Sequence, residues 1–180
     1  MPILPGDLSE RDSIHEMIRV DQAGEYGAVQ IYKGQLDATN DPNERQLIQH
    51  MLDQEKHHLS QFNDLLVQHK VRPTFLSPLW HVLGYTVGYV SAKLSKEMAM
   101  LCTVSVEEVI DKHYEDQETR LVESSGNSAL TELVQKCRAE ELEHKDIALE
   151  QGAQKVPGYP LISGLFKSGV RLAIALSKKI

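Results

Sequence analysis

The sequence predicts an all-α chain: a bundle of four long helices with two additional ones, a short apolar third helix and a C-terminal amphipathic helix. Three observations carry this. Apolar residues recur at helical spacing through most of the chain, cap and proline signals separate the periodic stretches, and no apolar/polar alternation flanked by hairpin turns marks a strand. A chain of 180 residues has room for one core, read as a single domain over 1–180.

Taken in order, Ser9 or a neighbour caps a first helix, whose apolar stripe (Ile14, Met17, Ile18, Ala28, Val29, Tyr32, Leu36) runs up to Asn40 and also contains Asp21 and Glu25. Asp41, Pro42 and Glu44 then supply an N-cap, a first-turn proline and a capping-box glutamate. The second helix follows on Ile48, Met51, Leu52, Phe62 and Leu65 towards His69, with Glu55 and His58 on the same stripe. Ser77-Pro78 repeats the cap-and-proline signal for a third helix through about Ala92. A fourth runs from near Ser95 to Val122 along the line Leu101, Val104, Glu107, Asp111, Tyr114, Leu121. After a turn at Ser124-Ser125-Gly126-Asn127, the residues Leu130, Leu133, Cys137, Glu141, His144 and Ala148 mark a fifth helix that fails before Pro157-Gly158, and a sixth begins near Leu161.

Composition narrows the function. Hydrophobic residues make up 41% and charged residues 25%, which is globular rather than disordered. Nineteen Lys and Arg against 26 Asp and Glu give a net charge of −7, and no basic run is interleaved with aromatics, which argues against a nucleic-acid partner. Cys102 and Cys137 form no CxxC, so the chain offers no disulfide framework, zinc ribbon or rubredoxin-type iron site and reads as belonging to a reducing compartment. Met1 to Ser13 carries Asp7, Glu10 and Asp12 and shows neither the apolar core of a signal peptide nor an arginine-rich transit pattern.

The informative feature is a set of glutamates in the middle of otherwise apolar helix faces: Glu25, then Glu55 with His58, then Glu107, then Glu141 with His144. Buried carboxylates must be protonated or paired, and these would also repel one another, yet no lysines or arginines lie on the same faces to match them. Two divalent metal ions balance four carboxylates and two neutral imidazoles. Residues three apart share a helix face, so each Glu-x-x-His aims two ligands inward, while the lone glutamates bridge or complete the shells. The order is a repeat, a glutamate helix followed by a Glu-x-x-His helix, twice over. Tyr32 follows Glu25 by seven residues as Tyr114 follows Glu107, and this echo favours Glu107 over Glu108 as the ligand. A single Glu-x-x-His is weak evidence; two on apolar stripes match the carboxylate site of ferritin-like di-iron and di-manganese bundles, and spacing does not choose between iron and manganese.

With these residues in place, the chain closely resembles the demethoxyubiquinone hydroxylase family of ubiquinone biosynthesis, within the ferritin-like superfamily. The resemblance covers nearly the whole chain. It rests on Arg19-Val20-Asp21-Gln22-Ala23-Gly24-Glu25-Tyr26-Gly27-Ala28, Asp53-Gln54-Glu55-Lys56-His57-His58-Leu59, Arg72-Pro73, Val106-Glu107-Glu108, His113-Tyr114 and Glu140-Glu141-Leu142-Glu143-His144. It implies two iron ions held by Glu25, Glu55, His58, Glu107, Glu141 and His144, O2 as oxidant, and hydroxylation of the ring of a polyprenyl methoxy-methyl-benzoquinol. Electrons are expected from the quinol itself or from NADH, with His113 and Tyr114 in the transfer. Tyr32 and Tyr114 read equally as core tyrosines with satisfied hydroxyls. For the outer ring nitrogens of His58 and His144, Asp21 or Asp111 is the expected acceptor, Asp21 being favoured.

A polyprenyl substrate lives in lipid, so a membrane-facing surface is expected. Pro73 to Ala92 carries no charged residue and includes Trp80, Leu83, Tyr85 and Tyr89, but its helical part from Pro78 is 15 residues, short of the ~20 needed to span. An interfacial position suits it. The last segment sets Ile162, Leu165, Phe166, Val170, Ala173 and Ile174 against Lys167, Arg171 and Lys178, in the manner of a basic helix resting on anionic lipid. The competing reading packs both segments on the bundle or in a homo-oligomer contact. The Met1 start is taken as that of a bacterial protein on the cytoplasmic face of the inner membrane. The alternative is the matrix face of the mitochondrial inner membrane, where a lipid-binding accessory protein of ubiquinone biosynthesis is an expected partner. Two other function classes stay open: a ferritin-like iron oxidase, storage or peroxidase protein, and a non-enzymatic quinone- or lipid-binding helical protein.

Overall fold

The computed structural model describes residues 9–123 and 128–179. Among them are six α-helices and no strand: α1 (Glu10–Ala38), α2 (Pro42–His69), α3 (Ser77–Leu94), α4 (Lys96–Glu123), α5 (Ser128–Glu150) and α6 (Tyr159–Ser177), with a 3-10 turn at Ala153–Lys155. The predicted turn at Ser124–Asn127 lies outside the described residues.

Local chemistry explains most boundaries. Ser9 Oγ accepts the Asp12 N–H at 3.1 Å, and Glu10 and Asp12 place negative charge at the positive end of the α1 dipole. Asp41 accepts the N–H groups of Asn43 and Glu44, both at 3.0 Å, with Pro42 in the first turn of α2. Glu44 does not complete the expected capping box; its carboxylate takes the Thr39 hydroxyl at 3.5 Å. α2 closes on Lys70 in the left-handed conformation (φ 55°), whose N–H reaches Val67 O while Val71 N–H reaches Leu66 O, a paired closure that satisfies the last carbonyls. The cap signal at Ser77 is misplaced by one residue. Leu76 is the N-cap, and Ser77 lies in the first turn with its hydroxyl donating to Thr74 O. α3 is therefore 18 residues, longer than the expected Pro78–Ala92.

Two apolar clusters fix the helix directions. One joins Val29, Tyr32, Ile48, Met51, Leu52, Leu101, Val104 and Ala148; the other joins Met17, Ile18, Phe62, Leu66, Tyr114, Leu121, Leu130 and Cys137. α1 and α5 run from the second cluster to the first, and α2 and α4 from the first to the second. Consecutive pairs α1–α2 and α4–α5 are thus antiparallel, while α2 and α4 run the same way. That order requires a long return between them, which α3 supplies along the outside of α1. α3 and α1 approach with their backbones nearly touching: a Cβ at Gly88 would lie 2.0 Å from Ile31 O, and one at Gly34 would lie 2.2 Å from Tyr85 O.

α6 lies against α4 and α1. The apolar face expected to meet lipid is shared with the bundle: Ile162 and Phe166 pack against the first cluster and Ile174 borders the central cavity, while Leu165 on the same face is exposed. Lys167 likewise pairs with Glu108 rather than pointing away. The apolar side chains that α6 leaves exposed are Leu161, Leu165 and Leu172, and those of α3 are Leu79, Val82, Leu83, Val90 and Leu94. Trp80 is half-buried and donates its indole N–H to Ser177 at 3.1 Å, tying α3 to the end of α6. Among the described residues, α6 is the one helix long and apolar enough to cross a membrane by length and composition.

Candidate metal centre

On each of the four long helices the polar residues sit between the stretch that feeds one apolar cluster and the stretch that feeds the other. They therefore meet in one layer at mid-bundle. Glu25, Glu55, His58, Glu107, Glu141 and His144 are all buried, none more than 3% exposed. They form two overlapping groups of four, Glu25/Glu55/His58/Glu141 and Glu55/Glu107/Glu141/His144, with one donor atom from each member within 4.8 Å of the others. The overlap bears on the two roles open to the lone glutamates, bridging or completing a shell. The glutamates common to both groups are Glu55 and Glu141, from the Glu-x-x-His pairs, whereas the lone Glu25 and Glu107 belong to one group each. Glu141 shows this directly, with Oε1 at 3.5 Å from His58 Nδ1 and Oε2 at 3.2 Å from His144 Nδ1.

Both imidazoles present Nδ1 inward and Nε2 outward. His58 Nε2 meets Glu140 Oε2 at 2.6 Å, and His144 Nε2 meets Gln54 Oε1 at 2.8 Å. Each partner precedes the Glu-x-x-His glutamate of the opposite helix, so the two contacts cross between α2 and α5. Asp21 and Asp111 do not fill this role. Asp21 holds His113 Nε2 at 3.0 Å and Gln117 Nε2 at 2.7 Å, and Asp111 is committed to Arg138 Nε at 2.7 Å. Glu140 and Gln54 were visible in the sequence beside the motif glutamates, but adjacency along a helix turns a side chain about 100° off its neighbour's face, so only packing of α2 on α5 brings them in.

The tyrosines cross in the same way. Tyr32 on α1 donates to Glu107 Oε1 on α4 at 2.8 Å, and Tyr114 on α4 donates to Glu25 Oε1 on α1. They are core tyrosines whose hydroxyls are satisfied by the cluster itself. Burial first, and the nearby carboxylates next, hold both phenols far above their ordinary value, so they stay protonated donors. Glu108 faces away, in an ion pair with Lys167.

Electrostatically the cluster sets buried carboxylates against one another. Burial, then repulsion from Glu141 and other carboxylates, pushes Glu55 and Glu107 well above the usual carboxylate range. Burial also acts on Glu141, but contacts with His144 and His58 overcome it and draw that carboxyl down to about 2. Burial opposes charge on the two histidines, but the Cys137 thiol and then Glu141 and Glu25 raise His58, and Glu141 and then Glu107 raise His144. Glu25 Oε2, both carboxylate oxygens of Glu55 and His58 Nδ1 are buried without a hydrogen-bond partner. Hard oxygen donors with two imidazoles, unsatisfied and converging, fit divalent cations of the iron or manganese kind.

A cavity of about 30 Å³ opens on this layer, bounded by Val20, Asp21, Val106, Ile110, His113 and Ile174, with Glu25 and Glu107 among the groups on its inner wall. That is room for a water or an O2 molecule. His113 and Tyr114 both border it, with ring centroids 6.0 Å apart, and burial raises Asp21 despite its bonds from His113 and Gln117.

A bundle with parallel second and fourth helices and a buried layer of four carboxylates and two histidines defines a helical-bundle protein whose carboxylate core could hold metal ions. Residues 12–177 match the family model described as ubiquinone biosynthesis protein COQ7, and the chain belongs to that family. It is 44% identical over 178 residues to the 3-demethoxyubiquinol 3-hydroxylase of Rhodospirillum rubrum, covering 98% of this chain and 83% of that protein. It is 46% identical to the human NADPH-dependent 3-demethoxyubiquinone 3-hydroxylase, mitochondrial, covering 97% and 81%. Identity to the 5-demethoxyubiquinone hydroxylase, mitochondrial, of Saccharomyces cerevisiae is 36%, covering 93% and 78%.

Proposed function

We infer that this chain is an O2-dependent hydroxylase of ubiquinone biosynthesis that adds a hydroxyl to the ring of a demethoxyubiquinol. The observation that carries the reading is the pair of overlapping Glu/His groups in a member of this family. Glu25 and His58 would hold one metal ion and Glu107 and His144 the other, with Glu55 and Glu141 open to both. Two iron ions held there would supply O2 activation and oxygen transfer to the ring, the second oxygen leaving as water with two electrons and two protons from the reductant.

The chain's own residues position this chemistry. Tyr32 and Tyr114 each fix one carboxylate oxygen, and Glu140 and Gln54 fix the two ring planes, so the inward donors keep their directions without solvent. The apolar rim of Val20, Val106, Ile110 and Ile174 keeps bulk water from the inner wall. The cavity as it stands has room for O2 and not for a quinol ring. His113, backed by the buried carboxylate of Asp21, and Tyr114, bonded to Glu25, lie between the partly exposed surface and the cluster; we assign them the inward passage of electrons and protons, the electrons coming from the reduced quinone or NADH. The exposed leucines and valines of α3 and α6, with Lys93 and Arg171 exposed beside them, suit an enzyme resting on the membrane that dissolves its substrate.

A single turnover tests the reading. The chain loaded anaerobically with two ferrous ions and given a short-chain demethoxyubiquinol and isotopically heavy O2 should yield quinone heavier by one labelled oxygen, and Glu55→Ala should not. Iron oxidised with the bound quinone unchanged would replace this reading with an iron-oxidase function. His113→Ala is expected to slow the turnover, and an unchanged rate would remove His113 from the transfer.

A further inference from the structure

Cys137 lies one turn before Glu141 on α5 and is fully buried. Its Sγ, a carboxylate oxygen of Glu25 and a ring nitrogen of His58 all lie within 4.8 Å of one another. Glu25 Oε2 and His58 Nδ1 are themselves buried and without hydrogen-bond partners, so the thiol faces two unsatisfied donors rather than an apolar wall. The other half of the layer has no counterpart. The position one turn before Glu55 is Met51, whose thioether has no proton to release, and no cysteine joins the His144 group among the described residues.

We propose that Glu25, His58 and Cys137 form a second, mutually exclusive site that binds one soft divalent cation of the zinc or cadmium class. The chemistry follows from the donors. Thiolate, imidazole and carboxylate are a mixed S/N/O set that favours thiophilic ions, whereas the oxygen-rich groups sharing Glu55 and Glu141 favour harder ones. A cation takes the place of the Cys137 thiol proton, which leaves to solvent. Because Glu25 and His58 serve both arrangements, occupancy by a soft ion closes the His58 half to any other metal. The inference rests on the proposed function only in taking Glu25 and His58 as open to a cation.

Cadmium reports sulfur ligation independently of turnover. Titrated into the metal-free full chain, it should raise a single ultraviolet sulfur-to-metal charge-transfer band saturating at one cadmium per chain. Cys137→Ser should abolish the band while retaining the helical circular dichroism, and Cys102→Ser should keep it. Cadmium NMR on the unaltered chain reads the same point with no substitution, one resonance being expected in the range of mixed sulfur and nitrogen ligation. A resonance typical of oxygen and nitrogen alone, or a band that persists in Cys137→Ser, would overturn the thiol site and leave the carboxylate–histidine centre standing. No cadmium binding at all would likewise overturn the thiol site, the carboxylate–histidine centre being read separately by ferrous-ion binding.

Discussion

His58 on α2 and Glu140 on α5 meet Nε2 to Oε2 at 2.6 Å, while the corresponding contact of His144, on α5, is to the neutral amide of Gln54 at 2.8 Å. The two halves of the layer are therefore alike in geometry and unlike in charge. Glu140→Ala should weaken divalent-metal binding in the His58 half by about 10–100-fold, and Gln54→Ala should act in the same way on the His144 half. Competition with a chromophoric chelator measures both. Equal effects of Glu140→Ala on the two binding steps would show that it acts on the bundle rather than on His58.

Acid should favour the metal-free fold. Glu55 and Glu107 are held above an ordinary 4.5 and Asp21 above 3.8, so the folded chain binds more protons than the unfolded one above those values, and stability falls as pH rises through the window. His58 and His144, held above 6.5, add the same sign from there upward, while Glu141, at about 2, loses its contribution only as pH falls towards that value. The metal-free chain should unfold at lower urea concentration at about pH 8 than at about pH 5, and two divalent cations should raise the pH 8 midpoint more. A flat pH dependence in the metal-free chain would contradict the buried carboxyls.

Tyr114→Phe removes the donor to Glu25, and Tyr32→Phe the donor to Glu107. Each leaves a buried carboxylate oxygen without its bond, a cost of about 1–3 kcal/mol in stability. Urea unfolding measures the cost. In single turnover Tyr114→Phe should lose more rate than Tyr32→Phe, since only Tyr114 adjoins His113.

Gly88→Ala should force α3 off α1, because the added methyl would overlap Ile31 O. The expected loss is about 1–3 kcal/mol, read as a lower thermal midpoint. Gly164→Ala, where a Cβ meets nothing within 4 Å, is the control and should leave the midpoint unchanged or slightly raised.

Membrane binding should depend on side chains that the fold leaves outside. Val82 is 61% and Leu165 67% exposed, and the pair Val82→Asp with Leu165→Asp should abolish co-sedimentation with anionic liposomes while preserving the helical spectrum. Trp80, attractive from sequence, is a poor probe because its indole holds Ser177. Unchanged co-sedimentation of the double variant would remove the membrane-facing role of α3 and α6.

The sequence by itself determined the helices and the polar layer. Caps such as Ser9 and Asp41 act within a few residues, and the period of 3.6 puts Glu55 with His58, and Glu141 with His144, on one face whatever the helix later packs against. Even so, the boundary at Ser77 slipped by a residue, because Ser77 bonds back to Thr74 and leaves the cap position to Leu76. Tertiary structure alone decided which side chains meet across helices: that Glu55 and Glu141 are shared, that Glu140 and Gln54 hold the histidines, that Tyr32 and Tyr114 exchange partners, and that Cys137 joins Glu25 and His58. It also decided that Ile162 and Phe166 of the α6 stripe pack on the bundle while Leu165 stays exposed. Periodicity fixes a residue's angle about its own helix axis; the register and rotation of one helix against another come from packing two apolar clusters at once, and contacts between residues some 90 positions apart leave no local pattern in the chain.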